Sequence, residues 1–293
     1  MKILLTGGSG FIGRNIYEAL KNEYIIFAPT RIELDICNFN GVETYIRNNN
    51  ITIVIHTAVE GGENTLESML KMFMSITKNI DTLEKVLYFG SGAEYAKIRD
   101  LKKISEEEIG SYIPQDPYGI GKFVLHNLAK HSHKIVNLRL FGIYGKYEDY
   151  RYTFISNTIV KKLFGLPLRI KQNALFDYLY VTDLISVIRY FIDCTKQQSD
   201  YNITPTPSIS LLEIAQIIDR LGTKKTEIIL ENKEYNHQYT GSNARLVNAL
   251  PTITFTPYIS GIEELFRYYT QILPSIDKEI ILHDDYFNRI KIK

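Results

Sequence analysis

The amino end carries the strongest constraint on how this chain folds. KILLT runs directly into GGSGFIG and then into RNIYEALKN. KILLT is a short apolar run of strand length, while Ile16, Ala19 and Leu20 recur at helical spacing in the segment that follows the glycines. Strand, tight glycine turn and helix in that order open a β-α-β unit, which commits the chain to an α/β fold with a parallel sheet.

Gly7, Gly10 and Gly13 fall three apart, a Gly-x-x-Gly-x-x-Gly variant of the dinucleotide fingerprint. In such a turn the backbone amides and the helix amino end face a pyrophosphate. These glycines, with Phe11 and Ile12 opening the helix, are candidate cofactor-binding residues; the alternative is a merely tight turn. EYIIFA reads as the second strand, ending near Ala28, and PTRIELDI follows it. An acid about 20 residues beyond the glycines serves a free ribose 2′-hydroxyl, whereas a 2′-phosphate needs a cation. Arg31 is placed for the phosphate, and its forked guanidinium suits that dianion better than a Lys. Glu33 is the counter-candidate for a ribose, past the strand end, and a solvated Arg31 is the plain alternative. NADP (as NADPH) is therefore preferred, with NAD possible, and Asp35 and Ile36 complete the candidate set on this side.

The chain has 293 residues, enough for one large α/β unit or two lobes. Its 34 Lys and Arg against 33 Asp and Glu leave a net of +1 with no basic block. That balance points away from nucleic acid and membrane surfaces and toward a small-molecule partner. Cys37 and Cys194 make no metal spacing and no disulfide framework, so they are expected as core thiols in a reducing compartment. No basic leader precedes the first apolar run and no run is long enough to cross a bilayer, so a cytoplasmic protein is expected. The six His are scattered and form no ligand-like array, and no metal is expected.

Two Tyr-x-x-x-Lys pairs occur, Tyr17–Lys21 and Tyr118–Lys122, and four-residue spacing puts each pair on one helix face. Tyr17 and Lys21 follow the glycine turn, on a helix whose faces meet sheet or solvent, so that pair is read as incidental. The second lies in QDPYGIGKFVLHNLAK, where Asp116 suits the N-cap and Pro117 the first helical position. Tyr118 then falls in the first turn and Lys122 one turn deeper. ITIVIHTA and KVLYFGSGAEY read as the third and fourth strands, buried on both faces.

TGGSGFIG, HTA, GSGAEY, YGIGK, LRLFGIYG, FDYLYVTDL and YNITPTPSISLLEIAQII follow one another over roughly the first 250 residues. In this order they resemble the extended short-chain dehydrogenase/reductases, the NAD(P)-dependent sugar-nucleotide epimerase, dehydratase and reductase group. The resemblance implies a doubly wound parallel Rossmann sheet with a smaller C-terminal α/β substrate lobe. The sheet domain is expected over 1–147 plus about 174–203, and the lobe over 148–173 plus about 204–293, with the site between them. It implies a triad of Ser91, Tyr118 and Lys122, backbone contacts from Thr57 and Ala58 to the cofactor, a nucleotide-sugar partner and a homodimer. His56, beside the same cleft, reads as packing. A Tyr hydroxyl titrates near pH 10, so proton exchange with a sugar oxygen at neutral pH needs nearby positive charge, which Lys122 and an oxidised nicotinamide supply. Ser91 would hold the substrate oxygen near Tyr118.

Departures from the family pattern narrow the reaction. The 4,6-dehydratases place an Asp-Glu pair after the catalytic Thr, where this chain has Gly92 and Ala93. APTRIELDI looks most like the GDP-fucose synthase branch, which epimerises two carbons and then reduces a 4-keto group. That branch has a Cys where Ala93 stands, and a His whose counterpart here is Thr153. Epimerisation beside a ketone needs an acid and a base, and neither is present. The expected function is thus an NAD(P)-dependent oxidoreductase: NADPH-dependent reduction of the 4-keto group of a nucleotide-linked (GDP- or similar) 6-deoxy or keto sugar, without epimerisation. An NAD-dependent 4-epimerase using the same triad is the alternative, and a non-catalytic cofactor-binding subunit is a third reading. On the substrate side Arg151 and Tyr152 are candidates for the diphosphate and the base, against a plain charged helix face. Phe176 stands where the family often keeps an Arg, Asn202 is expected to cap a strand end, and the tail after Pro274 has no functional reading.

Overall fold

The computed structural model describes residues 1–60, 65–195 and 197–290. Six strands, β1 (Lys2–Thr6), β2 (Ile25–Phe27), β3 (Ile53–His56), β4 (Lys85–Ser91), β5 (Ile135–Leu140) and β6 (Asp200–Ile203), form a parallel sheet. Their spatial order is β6-β5-β4-β3-β1-β2, so the winding reverses between β1 and β3. Ligands of open α/β sheets bind at the carboxyl ends of the strands beside such a reversal. Here those ends are Thr6, which leads into the glycine turn, and His56, which leads into Thr57 and Ala58.

Strand geometry sends successive side chains to opposite faces, and both faces are apolar because both are covered. Ile3, Leu5, Ile53, Ile55, Leu87 and Phe89 share one core with helix α1 (Phe11–Leu20) and, further along the chain, with the helix Val181–Asp193. Leu4, Val54, Val86 and Tyr88 belong to the opposite core, with α2 (Phe39–Asn49), α3 (Thr65–Thr77) and α4 (Pro117–Ala129). The helix α4 begins as the sequence indicates, with the Asp116 side chain accepting from the Gly119 N–H at 2.9 Å and Pro117 at the first helical position.

The chain continues through helices α5 (Phe154–Leu163), α6 (Val181–Asp193), α7 (Leu211–Arg220), α8 (Ala244–Ala249) and α9 (Tyr258–Ile272). Of these, α5, α7 and α9 form a separate core together with the parallel pair Leu168–Asn173 and Ile228–Tyr235. Leu246 of α8 packs instead with the first sheet core. The tail supplies Ile276 and Ile281 to the separate core, Asp284 pairs with buried Lys161 at 2.6 Å, and Arg169 covers the Phe287 ring at 3.9 Å. Its role is therefore structural at least: it closes one side of this core. A small four-stranded sheet joins Leu101–Ile104, Leu175–Phe176, Ile209–Ser210 and Tyr239–Gly241. It brings residue 239 beside residues 101 and 176, a juxtaposition that reappears at the site below.

Candidate active site

The glycine turn is built for close approach. Gly7 has a positive φ of 72°, and a Cβ there would lie 2.7 Å from both the Thr57 hydroxyl and the Ala58 N. A Cβ on Gly13 would lie 2.1 Å from the Gly7 carbonyl oxygen, so this crossing of helix and turn admits hydrogen alone. Gly10 caps α1 without a side-chain hydrogen bond, leaving the first N–H groups of Phe11, Ile12 and Gly13 to a ligand. Gly7, Arg31, Asp35, Ile36 and Ala58 line one cleft at this point, while Thr57 supports its floor by donating to the Thr6 carbonyl at 2.7 Å. These features fit a dinucleotide pyrophosphate.

Arg31 reaches over the cleft, three-quarters exposed, and pairs with Glu60 at 3.1 Å. Glu33 is turned back on its own loop, where it accepts from the Thr30 N–H at 2.7 Å and the Thr30 hydroxyl at 2.9 Å. Those bonds hold its carboxyl below the usual range, the backbone bond foremost. The free-ribose candidate is thus occupied, and the phosphate candidate faces the cleft. The expectation of core thiols is corrected: Cys37 is half-buried in the cleft wall and Cys194 half-buried just past the end of α6, because both fall on loops where strand or helix burial has ended. His56 donates to or accepts from Thr6 at 2.7 Å and burial drives its pKa down to about 3, with the Lys122 charge adding to the fall. It is a neutral packing residue.

At the end of β4 Ser91 caps a single helical turn, Gly92–Tyr95. Its hydroxyl oxygen accepts from the Ala93 N–H at 3.2 Å, which leaves the hydroxyl proton to donate toward Tyr118. The Ser91 N–H donates to Glu94 at 2.9 Å, and Glu94 is gripped in turn by Arg139 at 2.7 Å and Asn137 at 3.1 Å. Arg139 also reaches Asp200 at 2.9 Å and Tyr95 and Asn202 at 3.0 Å, all without solvent exposure of the guanidinium. A buried charge held by this many partners fixes the position of what it touches; here that is the backbone of Ser91. Asn202 lies inside β6 rather than at its end, serving this network, which corrects its expected capping role.

Tyr118 and Lys122 share the face of α4 turned to Ser91. The Lys122 Nζ lies 5.7 Å from the Tyr118 ring centre and donates to the Phe89 carbonyl at 2.6 Å. Burial brings its pKa down to about 8, partly offset by Glu94. The Tyr118 hydroxyl is raised by burial, lowered by a hydrogen bond with Ser91, raised by Tyr239 and lowered again by Lys97. So the structure brings Ser91, Tyr118 and Lys122 together, and adds two residues that sequence reasoning missed, Lys97 and Tyr239. Tyr17 and Lys21 stand apart on the helix after the glycine turn, with Tyr17 exposed.

Beside the triad a pocket of about 340 Å³ is lined by Lys97, Arg99, Phe176, Tyr178, His237 and Tyr239, among others. Three basic or titratable side chains and an aromatic wall suit a nucleotide diphosphate and its base. Phe176 stacks on Tyr178 with centres 5.3 Å apart, so the position lacking the family's Arg contributes a flat wall while cations come from another segment. Arg151 and Tyr152 sit on the turn before α5, outside that lining. Arg151 is held by Asp149 through two bonds of 2.9 and 2.7 Å, and Tyr152 lies between Arg151 and Arg289. The Thr153 hydroxyl donates to the Asp149 carbonyl at 2.9 Å. Among the described residues no helix is long and apolar enough to cross a membrane.

The model of the NAD-dependent epimerase/dehydratase family matches residues 3–204, more than two-thirds of the chain, including the glycine turn, Ser91 and the Tyr118–Lys122 pair. The chain belongs to that family. It is an NAD(P)-dependent enzyme. GDP-6-deoxy-D-talose 4-dehydrogenase of Aggregatibacter actinomycetemcomitans is 26% identical over 298 residues, covering 91% of this chain and 97% of that protein. The NADP-bound GDP-L-fucose synthetase of Naegleria fowleri superposes with a TM-score of 0.82 at 16% identity, covering 94% of this chain and 95% of that one. The UDP-glucose 4-epimerase of Thermotoga maritima superposes at 0.79 and 18% identity, covering 93% of this chain and 100% of that one. The family and these likenesses establish the Rossmann α/β fold.

Proposed function

We propose that this family member is a 4-ketoreductase, using NADPH to reduce the 4-keto group of a GDP-linked or similar 6-deoxy or keto sugar without epimerising a neighbouring carbon. The observation that carries this reading is the composition of the site around Ser91: Gly92 and Ala93 carry no acid or base, and the Thr153 hydroxyl is engaged by its own turn. Proton abstraction beside a ketone has no base there, whereas carbonyl reduction needs one hydride and one proton. Bound in the cleft, NADPH supplies the hydride and leaves as NADP.

The chain's residues do the rest. Ser91 donates a hydrogen bond to the C4 oxygen, polarising the carbonyl. Tyr118 then gives its hydroxyl proton to that oxygen as the C4 carbon becomes tetrahedral, and the resulting tyrosinate is reprotonated from solvent. Lys122 and Lys97 stabilise that tyrosinate by charge, offsetting the burial that raises the Tyr118 pKa. Arg31 favours NADPH by meeting the 2′-phosphate once it leaves Glu60. Lys97, Arg99 and His237 receive the sugar-nucleotide diphosphate, with Phe176 and Tyr178 against the base. The separate core around α5, α7 and α9 forms the substrate lobe.

The same triad serves an NAD-dependent 4-epimerase, and the UDP-glucose 4-epimerase of Thermotoga maritima shares this fold. The two differ in cofactor retention. A 4-epimerase must keep its nicotinamide through both half-reactions, whereas a reductase releases NADP at every turnover. Absorbance and mass spectra of whatever freshly purified protein releases on denaturation separate them: little bound cofactor and tighter binding of NADPH than NADH are expected, and stoichiometric bound NAD would overturn the reductase reading.

A further inference from the structure

The Tyr239 hydroxyl is buried and has no hydrogen-bond partner. An unpaired buried hydroxyl costs roughly 1–3 kcal/mol, so a protein that keeps one gains by it elsewhere. Its location is specific. A Cβ on Gly92 would lie 2.6 Å from the Tyr239 oxygen, which puts that oxygen against the residue next to Ser91, while Tyr239 also lines the pocket. The ring is fixed by Phe141 at 5.1 Å and Phe176 at 5.9 Å between centres, with the Lys97 ammonium 4.7 Å from the ring centre. The hydroxyl adjoins that of Ser91 without completing a bond to it, and it raises the pKa of Tyr118 through its own charge when ionised. Burial keeps Tyr239 protonated well beyond neutral pH, Ser91 offsetting only part of that rise. It is a donor, and no base.

A ketone oxygen has two lone pairs for Ser91 and Tyr118; an alkoxide developing at the same oxygen accepts a third donor. An interaction that forms only as charge develops lowers the barrier without tightening the ground state. Building on the ketoreductase reading, we propose that Tyr239 is a further catalytic residue, the third hydrogen-bond donor to the C4 oxygen, completing with Ser91 and Tyr118 a pocket for the developing alkoxide. Gly92 is the residue whose missing side chain admits it. In this enzyme the space that an acidic side chain after Ser91 would fill is given to a tyrosine from a distant strand.

The test is Tyr239→Phe, which removes the hydroxyl and keeps the ring. With NADPH and a GDP-linked 4-keto-6-deoxyhexose, kcat is expected to fall about 100-fold, the usual loss for one such donor, with KM and the NADPH dissociation constant within twofold of wild type. The melting temperature is expected to stay level or rise, because an unpaired hydroxyl has been removed; a purely structural tyrosine would show the reverse pattern, lower stability with kcat intact. Equal kcat in the two proteins overturns the proposal. A wild-type protein that leaves the 4-ketosugar untouched refutes the ketoreductase reading instead. Tyr239 is then judged by the same comparison with NAD and UDP-glucose, where equal rates overturn it. Failure of the wild type on both substrates overturns both.

Discussion

Tyr239 and Gly92 interlock: the tyrosine oxygen stands 2.6 Å from the point a Cβ on Gly92 would occupy, and Phe141 closes the other side at 2.8 Å. A side chain at 92 must displace a ring already packed between Phe141 and Phe176. Gly92→Ala is therefore expected to cost about 1–3 kcal/mol, the usual penalty of overpacking, measurable as a lowered urea midpoint. Gly92→Ala with Tyr239→Phe is expected to recover part of that loss, since the closest clash is with the removed oxygen.

The cofactor turn has less room still. Gly13→Ala sets a methyl 2.1 Å from the Gly7 carbonyl, against backbone that cannot swing aside as a flexible side chain would. The turn must open, and the amides aimed at the pyrophosphate go with it. Titration by nucleotide fluorescence is expected to show NADPH binding weakened by ~100-fold or more, of the order of two lost charge-assisted bonds, for Gly13→Ala. A similar loss is expected of Gly7→Ala through its positive φ.

On the NADPH reading, Glu60 and the cofactor's 2′-phosphate compete for the Arg31 guanidinium. Arg31→Ala is expected to weaken NADPH by about 10- to 100-fold, the worth of a charge-assisted phosphate contact, with NADH within threefold. Glu60→Gln is expected to act in the opposite direction, tightening NADPH by freeing Arg31 from its partner. Isothermal titration with both nucleotides checks the pair; an unchanged NADPH/NADH ratio in Arg31→Ala would show that Arg31 is only a solvated loop residue.

What could be read from the residues was whatever the chain encodes locally. The glycine turn, the four apolar runs, the Asp116 cap and the four-residue spacing of Tyr118 and Lys122 each depend on neighbours a few positions away, and each is found in the structure as the pattern indicates. The pocket was not legible for the opposite reason. Lys97 and Arg99 come from the segment after β4, and His237 and Tyr239 from a segment whose strand pairs with Leu101 and Phe176. The pairing of Tyr239 with Leu101 joins distant parts of the chain, and nothing in HQYTG announces it. Arg151 and Tyr152 drew notice because charge and aromaticity are adjacent there, yet Asp149 already holds the Arg. The Glu94–Arg139 pair was equally hidden, its two residues lying 45 positions apart on different elements.

On the ketoreductase reading, Lys122 sets an alkaline limit on catalysis. Its ammonium has an ordinary pKa of 10.5 and comes down to about 8 in the folded protein, so its charge is present below about pH 8 and lost above. The kcat/KM for reduction is expected to be flat below that value and to fall about tenfold per pH unit above it. The stability contribution runs the other way. Between about 8 and 10.5 the unfolded chain binds the proton more tightly, so the destabilisation this group brings is full below about pH 8 and eases as pH rises through that window. Folding releases the proton across that window, so this group makes stability rise with pH there, and Lys122→Met is expected to remove that rise between pH 8 and 10.5. Activity that falls above pH 8 while circular dichroism shows the fold intact separates the chemistry from unfolding.

Glu148 titrates with a consequence for stability alone. It is buried next to α5, accepts from the Ser156 hydroxyl, and burial raises its pKa from 4.5 to about 8, Ser156 and Thr153 offsetting part of the rise. Below pH 4.5 both states hold the proton; from there to about 8 the unfolded chain releases it first, and stability is lost as pH rises. At about 1.4 kcal/mol for each pH unit of that window the loss amounts to a few kcal/mol. Glu148→Gln is expected to be more stable than wild type at pH 8 and to differ little at pH 5, by chemical denaturation at both values; equal differences at the two pH values would show that Glu148 is ionised in the folded protein.

Reduction without epimerisation is the claim on which the rest depends, and a stoichiometric assay in deuterium oxide tests it most directly. A GDP-linked 4-keto-6-deoxyhexose is incubated with enzyme and NADPH, NADPH loss is followed by absorbance, and the sugar product is read by proton NMR. One NADPH consumed per sugar, a single 4-hydroxy product and no deuterium at the carbons flanking C4 are expected. Deuterium at a flanking carbon, or two 4-epimers interconverting with no net loss of NADPH, would contradict it.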